Sequence, residues 1–103
     1  MDSVIVNTKM NFTYRVELIA IKESIMQFFE LNPGIRLVDD LIITTNNSKS
    51  NIDISMKYQV NNIKNFAFET KKLIFLIEQK VFSLINTKPN NINLVFEGTF
   101  NEK

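Results

Sequence analysis

The sequence predicts an α+β fold, a two-layer sandwich with two helices on one face of a mostly antiparallel sheet of three or four strands. Residues 52–60 alternate strictly between apolar and polar side chains, which is typical of a strand with one buried face. Residues 67–85 are apolar at helical spacing. The chain has 103 residues, 45% of them hydrophobic and 22% charged, so we expect residues 1–103 to form one domain around one core.

The predicted order of elements is βαββαβ, and it begins with a short strand over residues 3–6. A first helix follows over about residues 11–31, with Asn11 in a position to act as its N-cap. Pro33 ends this helix, because proline disfavours a helical conformation at the residue before it. The apolar residues of the helix fall on two adjoining sides: Phe12, Val16, Ile19 and Met26 on one, and Leu18, Ile21, Ile25, Phe28 and Phe29 on the other.

A hairpin is predicted in the middle of the chain. Its first strand covers residues 35–44, where Asp39 and Asp40 interrupt the alternation and indicate a bulge or a bend. Residues 44–51 (TTNNSKSN) form a solvated loop, and residues 52–60 form the antiparallel partner strand. The buried face of the partner strand is expected to carry Ile52, Ile54, Met56, Tyr58 and Val60.

The last two elements are a helix over about residues 62–86 and a strand over residues 91–99, which Gly98 closes. We expect crossover connections to place the first and last strands in the same sheet as the hairpin. On the last strand, Ile92, Leu94 and Phe96 share one side. The side of the second helix expected to face the sheet carries Ile63, Phe66, Ala67, Thr70, Ile74, Ile77, Val81, Leu84 and Ile85.

Three further rings of the second helix do not belong to that side. Phe68, Phe75 and Phe82 recur every seven residues, about 100–140° away around the helix, and form a phenylalanine stripe. In one interpretation the first helix packs beside the second and covers these rings. In another the stripe is exposed and self-associates, as contiguous apolar surface often does. A third, a helix on a membrane surface, is disfavoured because two lysines offset by one glutamate attract anionic lipid weakly.

The site that we predict is the interface of the second interpretation, and its partner is another copy of the same chain. It consists of Phe68, Phe75 and Phe82, with Lys71 and Leu76 at its margins. If the three phenylalanine side chains stayed in water, the protein would lose roughly 1.5–3 kcal/mol of burial free energy for each of them.

The composition argues against most kinds of chemistry. The chain has no histidine, no cysteine and two glycines, so it lacks the usual nucleophile–base pairs, most transition-metal ligands and a glycine-rich phosphate loop. We expect no catalytic residues, no metal, no cofactor and no small-molecule substrate. The N-terminal residues do not read as a signal peptide, and the longest apolar run (residues 73–77) is too short to cross a bilayer. These features predict a cytoplasmic protein that is not an enzyme.

A small RNA-binding module is the alternative function, because sandwiches of helices on a sheet often bind RNA. Such a sheet needs aromatic and basic side chains on its open face. The open face is expected to carry Asp53, Ser55, Lys57, Gln59, Asn93, Val95 and Glu97, which include no aromatic residue and have a net charge of −1. The net charge of the whole chain, +1, also gives no reason to expect nucleic acid as a partner.

The second half of the chain resembles the alkaline-shock proteins of Gram-positive bacteria and mycoplasmas. These proteins have an alternating strand, a long helix and a strand of the form VNVxVEG, which reads INLVFEG here (residues 92–98). Their first helix is followed by PGV, and residues 33–35 read PGI. Two differences stand out: residues 3–14 replace a stretch rich in Gly, Glu and Ile, and Phe75, Leu76 and Phe82 occupy positions where the family commonly has charged residues.

The resemblance implies a non-enzymatic cytoplasmic protein linked to cell-envelope stress and homeostasis. It implies homo-oligomers or filaments that attach to the membrane through an anchored protein partner. The family has no catalytic or cofactor residues to carry over to this chain.

Overall fold

The computed structural model describes residues 2–101 and confirms an α+β fold. Within those residues it has two helices and five strands, in the order ββαββαβ. The elements are β1 (Ser3–Asn7), β2 (Thr13–Glu17), α1 (Leu18–Leu31), β3 (Ile35–Thr45), β4 (Ile52–Val60), a 3₁₀ turn (Ile63–Asn65), α2 (Phe66–Ile85) and β5 (Asn91–Thr99).

A three-stranded sheet carries the helices, with β4 between β3 and β5. The strands β3 and β4 form the predicted antiparallel hairpin, but β5 runs parallel to β4, so the sheet is mixed rather than mostly antiparallel. The pairing of β3 with β4 shifts register between Val38 and Ile42, and Asp39 adopts a left-handed backbone (φ 61°). The bulge predicted at Asp39 and Asp40 is therefore confirmed.

The first strand does not join that sheet, which corrects the predicted topology. It pairs with β2 in a separate antiparallel hairpin, where Val4 lies opposite Val16. The predicted helix over residues 11–31 is also wrong at its start, because residues 13–17 form β2 and α1 begins at Leu18. Asn11 is not an N-cap: it lies in the turn of the hairpin with φ 63°.

One hydrophobic core joins the two helices, the sheet and the N-terminal hairpin. The predicted buried face of β4 is confirmed, since Ile52, Ile54, Met56, Tyr58 and Val60 are all buried. The other buried hydrophobic residues are Val4, Val6, Ile21, Ile25, Phe28, Ile35, Leu41, Leu73, Ile77, Val81 and Ile85. The core therefore lies between the helices and one face of the sheet, as a two-layer fold requires.

The N-terminal hairpin is fixed at one end of the molecule by contacts with both layers. The backbone N–H of Ile5 donates to the carbonyl of Lys49 in the β3–β4 loop, at 2.8 Å. The hydroxyl of Tyr14 donates to the carbonyl of Leu84, at 3.2 Å, and so provides a partner for one of the carbonyls that the last turn of α2 leaves unpaired. The molecule is elongated, with extents of 51 × 22 × 20 Å.

Candidate interaction surface

The predicted site lies on α2, and both ends of this helix are well defined. The side chain of Asn62 accepts a hydrogen bond from the backbone N–H of Lys64, at 3.0 Å, and starts the 3₁₀ turn that leads into the helix. At the other end Asn86 takes a left-handed conformation (φ 61°), and its N–H donates to the carbonyl of Phe82. A left-handed residue after the last turn is a common way for a helix to end. The helix is 20 residues long, about 30 Å.

The phenylalanine stripe is exposed. The exposed fraction is 67% for Phe68, 60% for Phe75 and 52% for Phe82. The interpretation in which α1 covers these rings is therefore wrong for the single chain: α1 packs beside α2, but the rings point away from both the helix and the sheet. Leu73 and Ile77, which are fully buried, lie about 160–200° around the helix from Phe75. The stripe thus lies on the side of α2 opposite the core.

The two residues predicted at the margins of the stripe differ in their surroundings. Lys71 is exposed on the same side of the helix as the rings. Leu76 is half-buried and packs against the hydrophobic core, so it belongs partly to the protein interior. It also lines a shallow groove of about 570 Å³ between Phe75 and Phe82, together with Gln79. The structure therefore places Phe68, Lys71, Phe75 and Phe82 on one exposed side of α2. Leu76 lies about 100° around the helix from Phe75, where that side meets the core.

Charged side chains flank the stripe. Nζ of Lys72 lies 3.1 Å from Oε1 of Glu69 and 5.2 Å from the centre of the Phe68 ring, within the range of a cation–π contact. On the other flank, Glu78 lies 4.0 Å from Nζ of Lys88, the outer limit of an ion pair. The surface therefore combines apolar rings with charges of both signs.

Sequence reasoning misplaced the buried side of α2 by roughly 45° around the helix axis. Ile63 and Ala67 were expected to face the sheet, but both are exposed, whereas Leu73 and Glu69 are buried. Glu69 explains the error, because a carboxylate counts against burial in any hydrophobic pattern. The available signal was Lys72, which lies three residues along the helix and pairs with Glu69 at 3.1 Å.

The open face of the sheet is a weaker candidate for a binding surface than α2. It carries two exposed apolar residues, Ile42 and Val95. Sequence reasoning missed one aromatic ring at its edge: the guanidinium of Arg36 lies 4.6 Å from the centre of the Phe100 ring. An RNA-binding sheet stacks several bases on aromatic rings. A single half-buried phenylalanine, already in contact with arginine, is a poor platform of that kind.

Each acidic side chain of the bulge lies beside a lysine. Nζ of Lys22 on α1 lies 2.8 Å from Oδ1 of Asp40, and Lys57 lies 3.9 Å from Asp39. The hydrogen bond from Lys22 lowers the pKa of the Asp40 carboxyl below its ordinary value, and the positive charge and the backbone N–H of Leu41 act in the same direction. Within residues 2–101, no group of three or more acidic side chains is placed to hold a metal ion.

Comparison of the chain with family models, with curated proteins and with solved structures finds no match. The likeness to alkaline-shock proteins therefore rests on the order of β4, α2 and β5 and on residues 33–35 and 92–98 alone. No helix in the described part of the chain is long and apolar enough to cross a membrane.

Proposed function

We propose that this protein is a non-enzymatic interaction module that self-associates through the phenylalanine stripe of α2. One observation supports this proposal above the others: three large rings at seven-residue spacing are each more than half exposed on one side of one helix. Exposed apolar patches of a few hundred Å² often mark the place where a protein binds another molecule.

The size of the stripe determines what kind of association to expect. A buried phenylalanine covers about 150–250 Å², so the exposed parts of the three rings amount to roughly 300–400 Å². A stable interface buries about 800 Å² on each partner. The aliphatic stems of Lys71, Lys72 and Gln79 must therefore supply much of the remaining contact. We expect association that is reversible and that depends on protein concentration.

A double substitution tests the proposal. Phe75→Asp with Phe82→Asp places two carboxylates in the centre of the proposed interface, where desolvating them without partners is costly. The mass measured by sedimentation equilibrium should fall to that of a single chain. The circular dichroism spectrum should stay unchanged, because both rings are exposed in the single chain.

The matched control is Met10→Asp with Phe12→Asp, which removes two exposed apolar side chains and adds the same charge in the turn of the N-terminal hairpin. Its mass should equal that of the unsubstituted protein. The proposal is wrong if the unsubstituted protein stays monomeric at all accessible concentrations, or if both double variants reduce the mass equally.

The likeness to alkaline-shock proteins extends the proposal to the cell envelope. In this extended proposal, the protein lies in the cytoplasm, supports homeostasis of the cell envelope and attaches to the membrane through an anchored protein. The test compares binding of the purified chain to native membranes and to protein-free vesicles of the same lipids. Binding to the native membranes alone would support a protein anchor, whereas binding to both preparations or to neither would contradict it.

A further inference from the structure

The exposed side of α2 is nearly symmetric about Phe75. Phe68 and Phe82 lie seven residues before and after it, about 10 Å away in each direction along the helix axis. At 100° for each residue, the three rings fall within about 20° of one line. Ala67 and Ser83, which bound the exposed side, lie about 80° to either side of that line, and both are exposed.

We propose that two copies of this chain pair their α2 helices antiparallel, around a twofold axis that passes between the two Phe75 rings. This inference rests on the proposed self-association and specifies its geometry. Phe75 then lies against Phe75 of the second copy, and Phe68 lies against Phe82 of the second copy. The six rings form three layers of two rings each, and the same surface serves both partners, as a twofold interface requires.

The charges beside the stripe select this orientation. Lys71 and Glu78 lie on one flank of the line of rings, at about 40° and 60° from it, and Lys72 and Gln79 lie on the other. A twofold axis perpendicular to the plane of the two helices makes them antiparallel. It also brings the flank of Lys71 and Glu78 in one copy against the same flank in the other. Lys71 of each copy then lies beside Glu78 of the other, within about 1.5 Å along the helix axis. The dimer gains two opposite-charge contacts in this way.

The remaining flank is consistent with the same arrangement. Lys72 already has a partner within its own chain, the buried carboxylate of Glu69, at 3.1 Å. In the antiparallel pair it lies beside Gln79 of the second copy, a neutral residue that demands no countercharge. Glu78 is 4.0 Å from Lys88, whose side chain is largely exposed, so its carboxylate can turn towards Lys71 of the second copy.

A parallel pair would place the same residues unfavourably. A twofold axis along the helices brings opposite flanks together and keeps the chain direction. Lys71 of each copy would then lie beside Lys72 of the other at nearly the same height, twice in each dimer. Like charges across an interface disfavour a pairing, and specific interfaces use such repulsion to reject alternatives. The two orientations therefore respond in opposite directions to a change of charge at Lys71.

The test uses charge reversal at low ionic strength, where exposed charges are least screened. In the antiparallel pair, Lys71→Glu or Glu78→Lys turns two attractions into two repulsions, and each should raise the dimer dissociation constant roughly tenfold. The double variant Lys71→Glu with Glu78→Lys re-forms both contacts and should return the constant to within about threefold of its original value. Lys9→Glu makes the same change of net charge in the hairpin turn and should have no effect.

A distance measurement reads the orientation directly. The chain has no cysteine, so Lys64→Cys, in the exposed 3₁₀ turn eleven residues before Phe75, gives one spin label in each copy. The two labels should lie about 30 Å or more apart in the antiparallel dimer and within about 15 Å in a parallel one.

The outcomes separate the two proposals. A monomeric unsubstituted protein would overturn the proposed function and this inference together. A dimer that Lys71→Glu leaves unchanged or tightens, or whose labels lie close together, would overturn only the antiparallel geometry. Weakening by each single reversal, recovery in the double variant and a long label distance would establish it.

Discussion

Gly98 shows how one residue without a side chain shapes the edge of the sheet. Its φ is +96°, in the region that side chains of L-residues rarely adopt. The pairing of β5 with β4 shifts register at this point: Phe96 lies opposite Tyr58, but Thr99 lies opposite Val60. Two residues of β5 thus face a single residue of β4, and the bulge needs the conformation that glycine allows.

We predict that Gly98→Ala lowers the free energy of unfolding by about 1 to 2 kcal/mol, the usual penalty for a side chain in the left-handed region. A Cβ at this position would meet no atom within 4 Å, so the loss comes from the backbone conformation and not from a clash. Urea denaturation measures it. Asn93→Ala, on an exposed position of the same strand, should change the free energy by less than about 0.5 kcal/mol. Equal losses in both variants would contradict the backbone explanation.

The contact between Lys22 and Asp40 links α1 to the bulge of β3. Since the pKa of Asp40 is lowered in the folded chain, its contribution to stability is present above the ordinary carboxylate pKa of about 4. That contribution is lost as the pH falls through the lowered pKa. The Asp40 side chain is largely exposed, so solvent screens its interaction with Lys22 and its contribution to stability is small; titration tests the direction of its pKa shift.

We predict that Lys22→Met raises the pKa of Asp40 towards its ordinary value, because it removes both the hydrogen bond and the positive charge. Methionine has nearly the helix propensity of lysine, so α1 should persist. Titration of the carboxyl carbon by NMR measures the pKa. Lys9→Met, in the exposed hairpin turn, should leave it unchanged. If the titration of Asp40 does not move in the Lys22 variant, the assigned cause is wrong.

At the scale of elements, the alternation of apolar and polar side chains was readable in β4 and β5, and its interruption located the bulge of β3. The strands β3, β4 and β5, the hairpin loop and the bulge all follow from that pattern. The start of α1 does not, because residues 13–17 fit either a helical or an alternating pattern over so short a span. Pairing with β1 decides between the two. That is a contact between distant residues, which a local pattern does not contain.

The second helix shows both what its sequence reveals and what it hides. The seven-residue spacing of its three phenylalanines was visible, and so was their separation from the apolar side. The sequence did not show whether α1 covers these rings. Coverage depends on where and at what angle α1 packs against α2, and tertiary contacts determine both. Both Glu69 and Leu73 are buried, so the core side of α2 includes them and the stripe lies opposite the core.

The two sides of α2 should respond differently to truncation. Ile77→Ala removes a fully buried side chain and should lower the free energy of unfolding by about 2–5 kcal/mol, through lost burial and a residual cavity. Phe75→Ala removes a larger side chain that is mostly exposed, and it should cost less than about 1 kcal/mol when the protein is dilute and monomeric. Urea denaturation of both variants at low concentration makes the comparison. Equal losses would mean that the Phe75 ring is part of the core.

At the scale of the whole molecule, the exposed surface on α2 lies on a long and narrow body. The chain extends 51 Å in one direction and about 20 Å in the other two. A helix of about 30 Å on such a body offers a contact that is long but narrow. Pairing two such helices side by side covers the apolar surface without disturbing either core, because the rings and the core lie on opposite sides of α2.

Association of this kind should also stabilise the fold. A partner that binds only the folded chain raises the free energy of unfolding by RT ln(1 + [L]/Kd), which is about 2.7 kcal/mol when the partner is at 100 times its Kd. We therefore predict that the thermal midpoint of the unsubstituted protein rises with its own concentration. The midpoint of the variant with Phe75→Asp and Phe82→Asp should stay constant over the same range. Differential scanning calorimetry over a hundredfold dilution makes the measurement, and the variant with Met10→Asp and Phe12→Asp should follow the unsubstituted protein. If the midpoint of the unsubstituted protein does not depend on concentration while scattering shows a dimer, the association involves chains that are not folded as described, and the stripe is not its interface.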